Sequence, residues 1–281
     1  MAMKSIKFTK MQATGNDFIL INCLEKKLVN PSRFAERFCR RRFGIGADQL
    51  LILLPSKKAD YRLRIFNADG SEAEICGNGL LCLARYLRLN KLSKKRDLEI
   101  EILSGVARLR DQKNKVIADM GEPRLEGNQI PVHPEGKIIS QPLRVGGKKF
   151  RITCVNLGNP HCIIFVDSVE DFPVEKYGPL IENHSIFPNR INVEFIKVIT
   201  RRQMKLRVWE RGSGETLGCG SGASAAVVAG VLNNKTGRKV KLTLPGGLLE
   251  VEWGKDNHLY LSGDTKEVFT GEATPVRSSR H

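Results

Sequence analysis

The chain of 281 residues lacks the features that would send it to a membrane or out of the cell. There is no apolar run of about 18 residues and no apolar segment behind the basic start, so neither a membrane span nor a secretory leader is expected. A cytoplasmic protein is expected. There is also no C-x-x-C pair. The seven cysteines, Cys23, Cys39, Cys76, Cys82, Cys154, Cys162 and Cys219, form an odd set without paired spacing. That argues against a disulfide framework and against a structural zinc site, and no other ligand cluster points to a metal. In a reducing compartment most of these thiols should be small core hydrophobes. Aromatic-rich RNA-binding strands and zinc-finger spacings are missing as well. The net charge of +16 is spread over short clusters such as Arg40 to Arg42, Lys94 to Arg96, Lys148 with Lys149, and Arg201 with Arg202. These sit at turns and element ends, as on a solvated basic surface, so no nucleic-acid partner is expected.

What is present is an ordinary globular composition, 41% hydrophobic, on a chain long enough for one large domain or two moderate ones. Sliding the sequence against itself decides for two. At an offset of 143 residues, the separation of Gly15 and Gly158, several unusual features coincide. Asn16 meets Asn159 and Gln49 meets Asn192. The strand-like run from Arg62 to Asn67 meets that from Lys205 to Glu210. Glu72 meets Glu215, Cys76 and Gly77 meet Cys219 and Gly220, and Gly79 meets Gly222. This period is too long for a solenoid and implies two duplicated domains. The seam is expected near Gly121, Glu122 and Pro123. The domains are then residues 1–121, joined by a returning strand at about 265–281, and residues 122–264.

Short β-branched or alternating runs at Phe18 to Asn22, Leu50 to Leu54, Ile163 to Val166 and Val193 to Val198 read as strands between turn signals. One helix follows each special cysteine, over Gly79 to Leu89 and over Ala223 to Leu232. The second is small and apolar all round, which predicts a helix buried through the middle of its domain.

Both half-sites run strand, Gly- and Glu-bearing loop, Cys-Gly-(Asn/Ser)-Gly, helix. The glycines admit close backbone approach, and the first helical N–H groups have no partner within the helix, a setting that suits a carboxylate. The same field is expected to lower the thiol pKa. One cysteine at a Gly-rich helix start is more often packing. Two at equivalent places in duplicated halves fit stereoinversion, in which one group removes a proton from one face of a carbon and another delivers a proton to the opposite face.

The motifs Thr14-Gly-Asn-Asp-Phe18, Gly44-Ile-Gly-Ala-Asp-Gln49, Phe66-Asn-Ala-Asp-Gly-Ser71, Ala73-Glu-Ile-Cys-Gly-Asn-Gly79, Gly158-Asn-Pro-His161, Arg190-Ile-Asn-Val193, Trp209-Glu-Arg-Gly212 and Cys219-Gly-Ser-Gly-Ala223 follow in order along the chain. Together they resemble the diaminopimelate epimerases. The resemblance implies an α/β (α+β) fold of two pseudo-symmetric domains, each a curved, mainly antiparallel sheet wrapped around a central helix, with the site in the cleft. It implies interconversion of LL- and meso-diaminopimelate without pyridoxal phosphate, metal or other cofactor, on the way to lysine and peptidoglycan. Cys76 and Cys219 match the catalytic pair. Asn16, Gln49, Asn67, Asn159, Asn192, Glu210 and Arg211 match substrate contacts. Gly77 with Asn78, and Gly220 with Ser221, match the helix-mouth donors. His161 and Glu210 match residues that adjust the thiols. Arg211 would grip the distal carboxylate bidentately, beside fixed amides from Asn67, Asn159 and Asn192.

The segment Met11-Gln12-Ala13-Thr14 stands where members commonly carry His-Gly, and Gly218 and Ser224 stand where Ala and Cys are more usual. Only a slight reshaping of a loop and of helix packing is expected from these. Two other readings compete. A proline or hydroxyproline racemase on the same scaffold would leave Arg211 without a role, and a basic nucleic-acid-binding module would leave the cysteines as core. The sequence is compatible with a homodimer.

Overall fold

The structure, a computed structural model, describes residues 5–112, 115–133 and 135–274. In chain order these form β1 (Ile6–Ala13), β2 (Asn16–Asn22), α1 (Pro31–Phe38), β3 (Gln49–Leu54), β4 (Tyr61–Asn67), β5 (Glu72–Ala73), α2 (Gly77–Leu89), β6 (Asp97–Ile102), β7 (Gly105–Gln112) and β8 (Lys115–Asp119). There follow β9 (Gln141–Val145), β10 (Lys148–Asn156), β11 (Pro160–Phe165), α3 (Val174–Glu182), β12 (Asn192–Thr200), β13 (Gln203–Glu210), β14 (Gly214–Thr216), α4 (Gly220–Leu232), β15 (Lys239–Leu244), β16 (Gly247–Trp253), β17 (Leu259–Gly263) and β18 (Thr265–Ala273). No helix among the described residues is long and apolar enough to cross a membrane.

The chain divides into two compact units. In the first, residues 5–13, 17–109 and 265–274, the strands run β18-β1-β2-β3-β4-β6, with β5 also laid along β4. The second, residues 14–16 and 110–264, runs β9-β10-β11-β12-β13-β15-β16-β17-β8, with β14 along β13. Its first six strands repeat the first sheet, with parallel pairs at the same two places, β2 with β3 as β11 with β12, and β4 with β6 as β13 with β15. The remaining register is antiparallel, the sense that short hairpin links favour. Cross-strand ion pairs recur too. Arg64 donates to both Glu72 oxygens at 2.7 and 2.6 Å, and Arg207 to both Glu215 oxygens at 2.6 and 2.9 Å.

The return of β18 to β1 follows the strand read at Val268 and Phe269. The division between Leu109 and Arg110 lies earlier than the seam read at Gly121, because β8 pairs with β17 and so adds to the second sheet.

In each unit one buried helix packs against the sheet. Leu80, Leu81, Leu83, Ala84 and Leu87 of α2 are buried, and the helix packs on β1 and β18. Every residue of α4 from Gly220 to Gly230 is buried, against β10, β11, β12, β15, β16 and β17. Gly, Ser and Val are poor helix formers, so α4 owes its stability to this enclosure, which its short side chains permit on every side.

Candidate active site

Cys76 and Cys219 are the N-caps of α2 and α4, with near-identical extended backbones, φ −143° and ψ 110° against φ −128° and ψ 118°. In place of the usual oxygen, each sulfur accepts a backbone N–H three residues on, from Gly79 at 3.4 Å and from Gly222 at 3.3 Å. The first intrahelical bonds begin at Leu80 and Ala223. The N–H groups of Gly77 and Asn78, and of Gly220 and Ser221, therefore lie ahead of the helical ladder, where an anion is favoured. Both helices thus start two to three residues before their sequence readings at Gly79 and Ala223.

The two thiols differ in surroundings. Cys76 is half-buried and Cys219 buried. Burial first, then the carboxylates of Glu210 and Glu194, push the Cys219 thiol well above its ordinary range, while Ser221 and the Gly222 N–H pull it back. The expected lowering at a helix mouth is thus overturned at Cys219. Low-dielectric burial with two anions outweighs a partial dipole charge, and the resting form is the thiol.

In the first unit, Gln49 and Asn67 face each other across β3 and β4, and Gln49 Nε2 donates to Asn67 Oδ1 at 2.8 Å. Asn67 Nδ2 donates on to Ser71 Oγ at 3.0 Å. Gln49 Oε1 is enclosed and has no partner in the protein, an acceptor that a ligand N–H would satisfy. Asn16 opens β2, half-buried. Asn78 is almost wholly buried, and its Oδ1 likewise lacks a protein partner.

In the second unit the marked residues form a connected chain. Cys219 Sγ lies 3.3 Å from Ser221 Oγ. Asn159 Nδ2 donates to Ser221 Oγ at 3.2 Å, and Asn159 Oδ1 faces His161 Nε2 at 3.0 Å. His161 Nδ1 meets Glu194 Oε1 at 2.7 Å, with both side chains fully buried. Glu210 accepts from Thr216 Oγ at 2.5 Å. Asn192 has both ends of its amide on the backbone, donating to Pro160 O at 2.8 Å and accepting the Arg211 N–H at 2.9 Å. It braces the Arg211 loop. Arg211 itself is exposed and reaches Asn189 O at 3.3 Å.

Several residues of this framework went unread in the sequence. Glu182, buried, accepts from Trp209 Nε1 at 2.7 Å and the Gly212 N–H at 2.9 Å, and so pins the turn that carries Arg211. Glu194 is a lone acid in an otherwise apolar stretch of β12, a signal that was available. The departures noted at Thr14 and Gly218 fit each other. Thr14 is left-handed at φ 49°, and a Cβ on Gly218 would stand 2.9 Å from the Thr14 carbonyl oxygen. Ser224 Oγ donates to Gly220 O at 2.9 Å inside α4. Among the described residues no group of three or more His, Cys, Asp or Glu is arranged to hold a metal ion.

The sequence model of the family described as "Diaminopimelate epimerase" matches residues 8–126 and 153–274. A diaminopimelate epimerase of Pelotomaculum thermopropionicum is 51% identical over 274 residues, 94% of this chain and 98% of the relative. This chain belongs to the diaminopimelate epimerase family. A second diaminopimelate epimerase, from Acetivibrio thermocellus, is 46% identical over 274 residues, 95% of this chain and 98% of that one. Among solved structures, a hydroxyproline epimerase from Agrobacterium vitis superimposes with a TM-score of 0.72 at 13% identity, covering 97% of this chain and 93% of its own. At that identity the likeness is one of fold, so the scaffold extends beyond the diaminopimelate epimerases. The chain is an isomerase of this family on a mixed α/β scaffold.

Proposed function

We propose that the protein interconverts LL- and meso-diaminopimelate, with Cys76 and Cys219 as paired base and acid. The observation that carries the reading is the shared placement of the two cysteines, each the N-cap of the helix its sheet encloses, with matching backbone angles and the same N–H to sulfur bond. One thiolate takes the α-proton, leaving its electron pair delocalised into the carboxylate. The other thiol gives its proton to the opposite face, and exchange with solvent then restores each cysteine. Because Cys219 rests as a thiol, it is the acid for the isomer that presents its proton to Cys76.

The helix-mouth N–H groups of Gly77, Asn78, Gly220 and Ser221 suit the carboxylate as charge grows on it. Gln49 and Asn67 in one unit and Asn159 in the other offer fixed amides, and Arg211 suits a second carboxylate bidentately. In this reading neither pyridoxal phosphate nor metal takes part. Lysine and peptidoglycan precursor synthesis is its place, the cytoplasm its compartment and a homodimer its assembly, the last open to sedimentation analysis.

The test is incubation of the protein with LL-diaminopimelate and chiral chromatography of the product. Accumulation of meso-diaminopimelate, lost in both Cys76→Ala and Cys219→Ala, is expected. Turnover of proline or hydroxyproline instead, or near-normal epimerisation by either variant, would overturn the reading.

A further inference from the structure

Six strands of the second sheet repeat the first, yet one buried pair among them differs in kind. At the offset relating Cys76 to Cys219, Phe18 corresponds to His161 and Leu51 to Glu194. Phe18 and Leu51 are wholly buried and apolar. His161 and Glu194 are equally buried and bonded to each other. Each position abuts its helix start in the same way. A Cβ on Gly79 would meet Leu51 Cδ2 at 3.1 Å, and one on Gly222 would meet Glu194 Oε1 at 2.6 Å. Glu194 therefore lies directly against the first turn of α4, below Cys219.

A carboxylate with no exposure and one oxygen, Oε2, without a protein partner is a poor way to stabilise a core. Replacing a buried ion pair by apolar residues of similar volume is often neutral or stabilising, and the first unit holds Phe18 and Leu51 at these places. Glu194 is thus explained by what it does to its neighbours. Asn159 Oδ1 is an acceptor, and so is Glu194 Oε1 when Glu194 is ionised; between two acceptors the His161 ring donates from both nitrogens. Asn159 then donates to Ser221, which leaves the Ser221 hydroxyl hydrogen for Cys219 Sγ. From His161 Nε2 onward, every hydrogen in this chain points toward the sulfur. A neutral ring that kept its hydrogen at Nδ1, facing an ionised Glu194, would accept at Nε2, turn the Asn159 amide over and reverse the chain, so that Ser221 no longer donated to sulfur. Glu210 and Glu194 both act on Cys219, and Cys154 and Glu194 both act on Cys162.

We propose that Glu194 is a positioning residue for the epimerisation, holding His161 doubly protonated so that the Asn159 and Ser221 hydrogens point at Cys219, at places where the first unit has Leu51 and Phe18. The inference rests on the two-thiol reading above.

The test is Glu194→Gln, which keeps the shape and one acceptor but removes the charge. Histidine-selective nitrogen NMR on wild type at neutral pH should show both His161 ring nitrogens protonated, and on the variant one of them bare. Epimerisation should fall in kcat by about 100-fold, the scale of a mis-set acid or base, with KM within about three-fold because no substrate contact is removed. A second variant, Glu194→Leu with His161→Phe, installs the pair that the first unit already folds around. It should melt at or above the wild-type temperature and be inactive. A bare nitrogen on His161 in wild type, wild-type kcat in Glu194→Gln, or activity in the double variant would each overturn the proposal. Activity surviving in Cys219→Ala would overturn the two-thiol reading instead, whatever Glu194 does.

Discussion

Asp17 and Asp48 each accept the other's backbone N–H, both at 3.0 Å, and so lock the start of β2 to the residue before β3. Asn16 precedes one of them and Gln49 follows the other, so the clamp adjoins two amides that the proposed function gives to the substrate. Burial works to raise the Asp17 pKa, but Arg41 and Lys10 outweigh it and hold it at about 2. Asp17 bonds Arg41 at 2.9 Å and Lys10 at 2.7 Å, and Lys10 also donates to Gly46 O. The folded value lies below the ordinary 3.8, so the stabilisation is present above that pH and is lost as pH falls toward 2. It amounts to about 2 kcal/mol. Urea unfolding of Asp17→Asn should show that deficit at pH 7, closing on wild type as pH falls through this window. A constant difference down to the lower limit would refute the assignment.

Glu182 supports Arg211 from behind. Glu182→Ala leaves the Trp209 and Gly212 N–H groups without their acceptor and loosens the turn between them. Losing about 1.4 kcal/mol of substrate binding corresponds to a ten-fold rise in KM. Steady-state kinetics should show that rise with a smaller change in kcat. An equal loss in kcat alone would place Glu182 in the chemistry rather than in binding.

Alanine at Gly222 and at Gly79 should have unequal effects. At Gly222 the new methyl meets an enclosed carboxylate at 2.6 Å, whereas at Gly79 it meets a leucine methyl at 3.1 Å. The overpacked Gly222→Ala is expected to lose about 1–3 kcal/mol. In Gly79→Ala the contact is offset by Ala's helix preference of about 1 kcal/mol over Gly. Thermal unfolding of the two proteins decides the order.

A thiol carries one exchangeable proton, so the acid of each turnover is not the group that received the substrate's proton. In heavy water, pure LL-diaminopimelate should give product labelled at the inverted carbon from the first turnovers, with recovered substrate nearly unlabelled. Mass spectrometry at low conversion measures both. Equal early labelling would indicate a single base, and loss of turnover after chelation and dialysis would indicate a needed metal or cofactor.

Much of this was legible in the sequence because it repeats. The cysteines, their helices and the amides at Gln49 and Asn192 surfaced when the chain was laid on itself, since likeness is what such a comparison detects. The helix starts were read late because Gly77, Gly79, Gly220 and Gly222 hide the first turn, although the capping sulfurs make it regular. Glu194 escaped for the opposite reason. It is a place where the halves differ, and a search for sameness passes over Leu51 and Glu194. Glu182 and the Asp17 and Asp48 clamp act on backbone N–H groups brought near only by folding. The rise in the Cys219 pKa needs three-dimensional knowledge of burial and of Glu210.

The matching strand orders of the two units, with Arg64 and Glu72 reproduced as Arg207 and Glu215, carry a consequence for how such a catalyst can arise. Two identical halves encoded separately are obliged to hold the same residue at every corresponding place, and whatever tunes one thiol tunes the other alike. Joined in one reading frame, each half can drift alone. Leu51 stands at one place and Glu194 at the other, and the protein has a left hand distinct from its right.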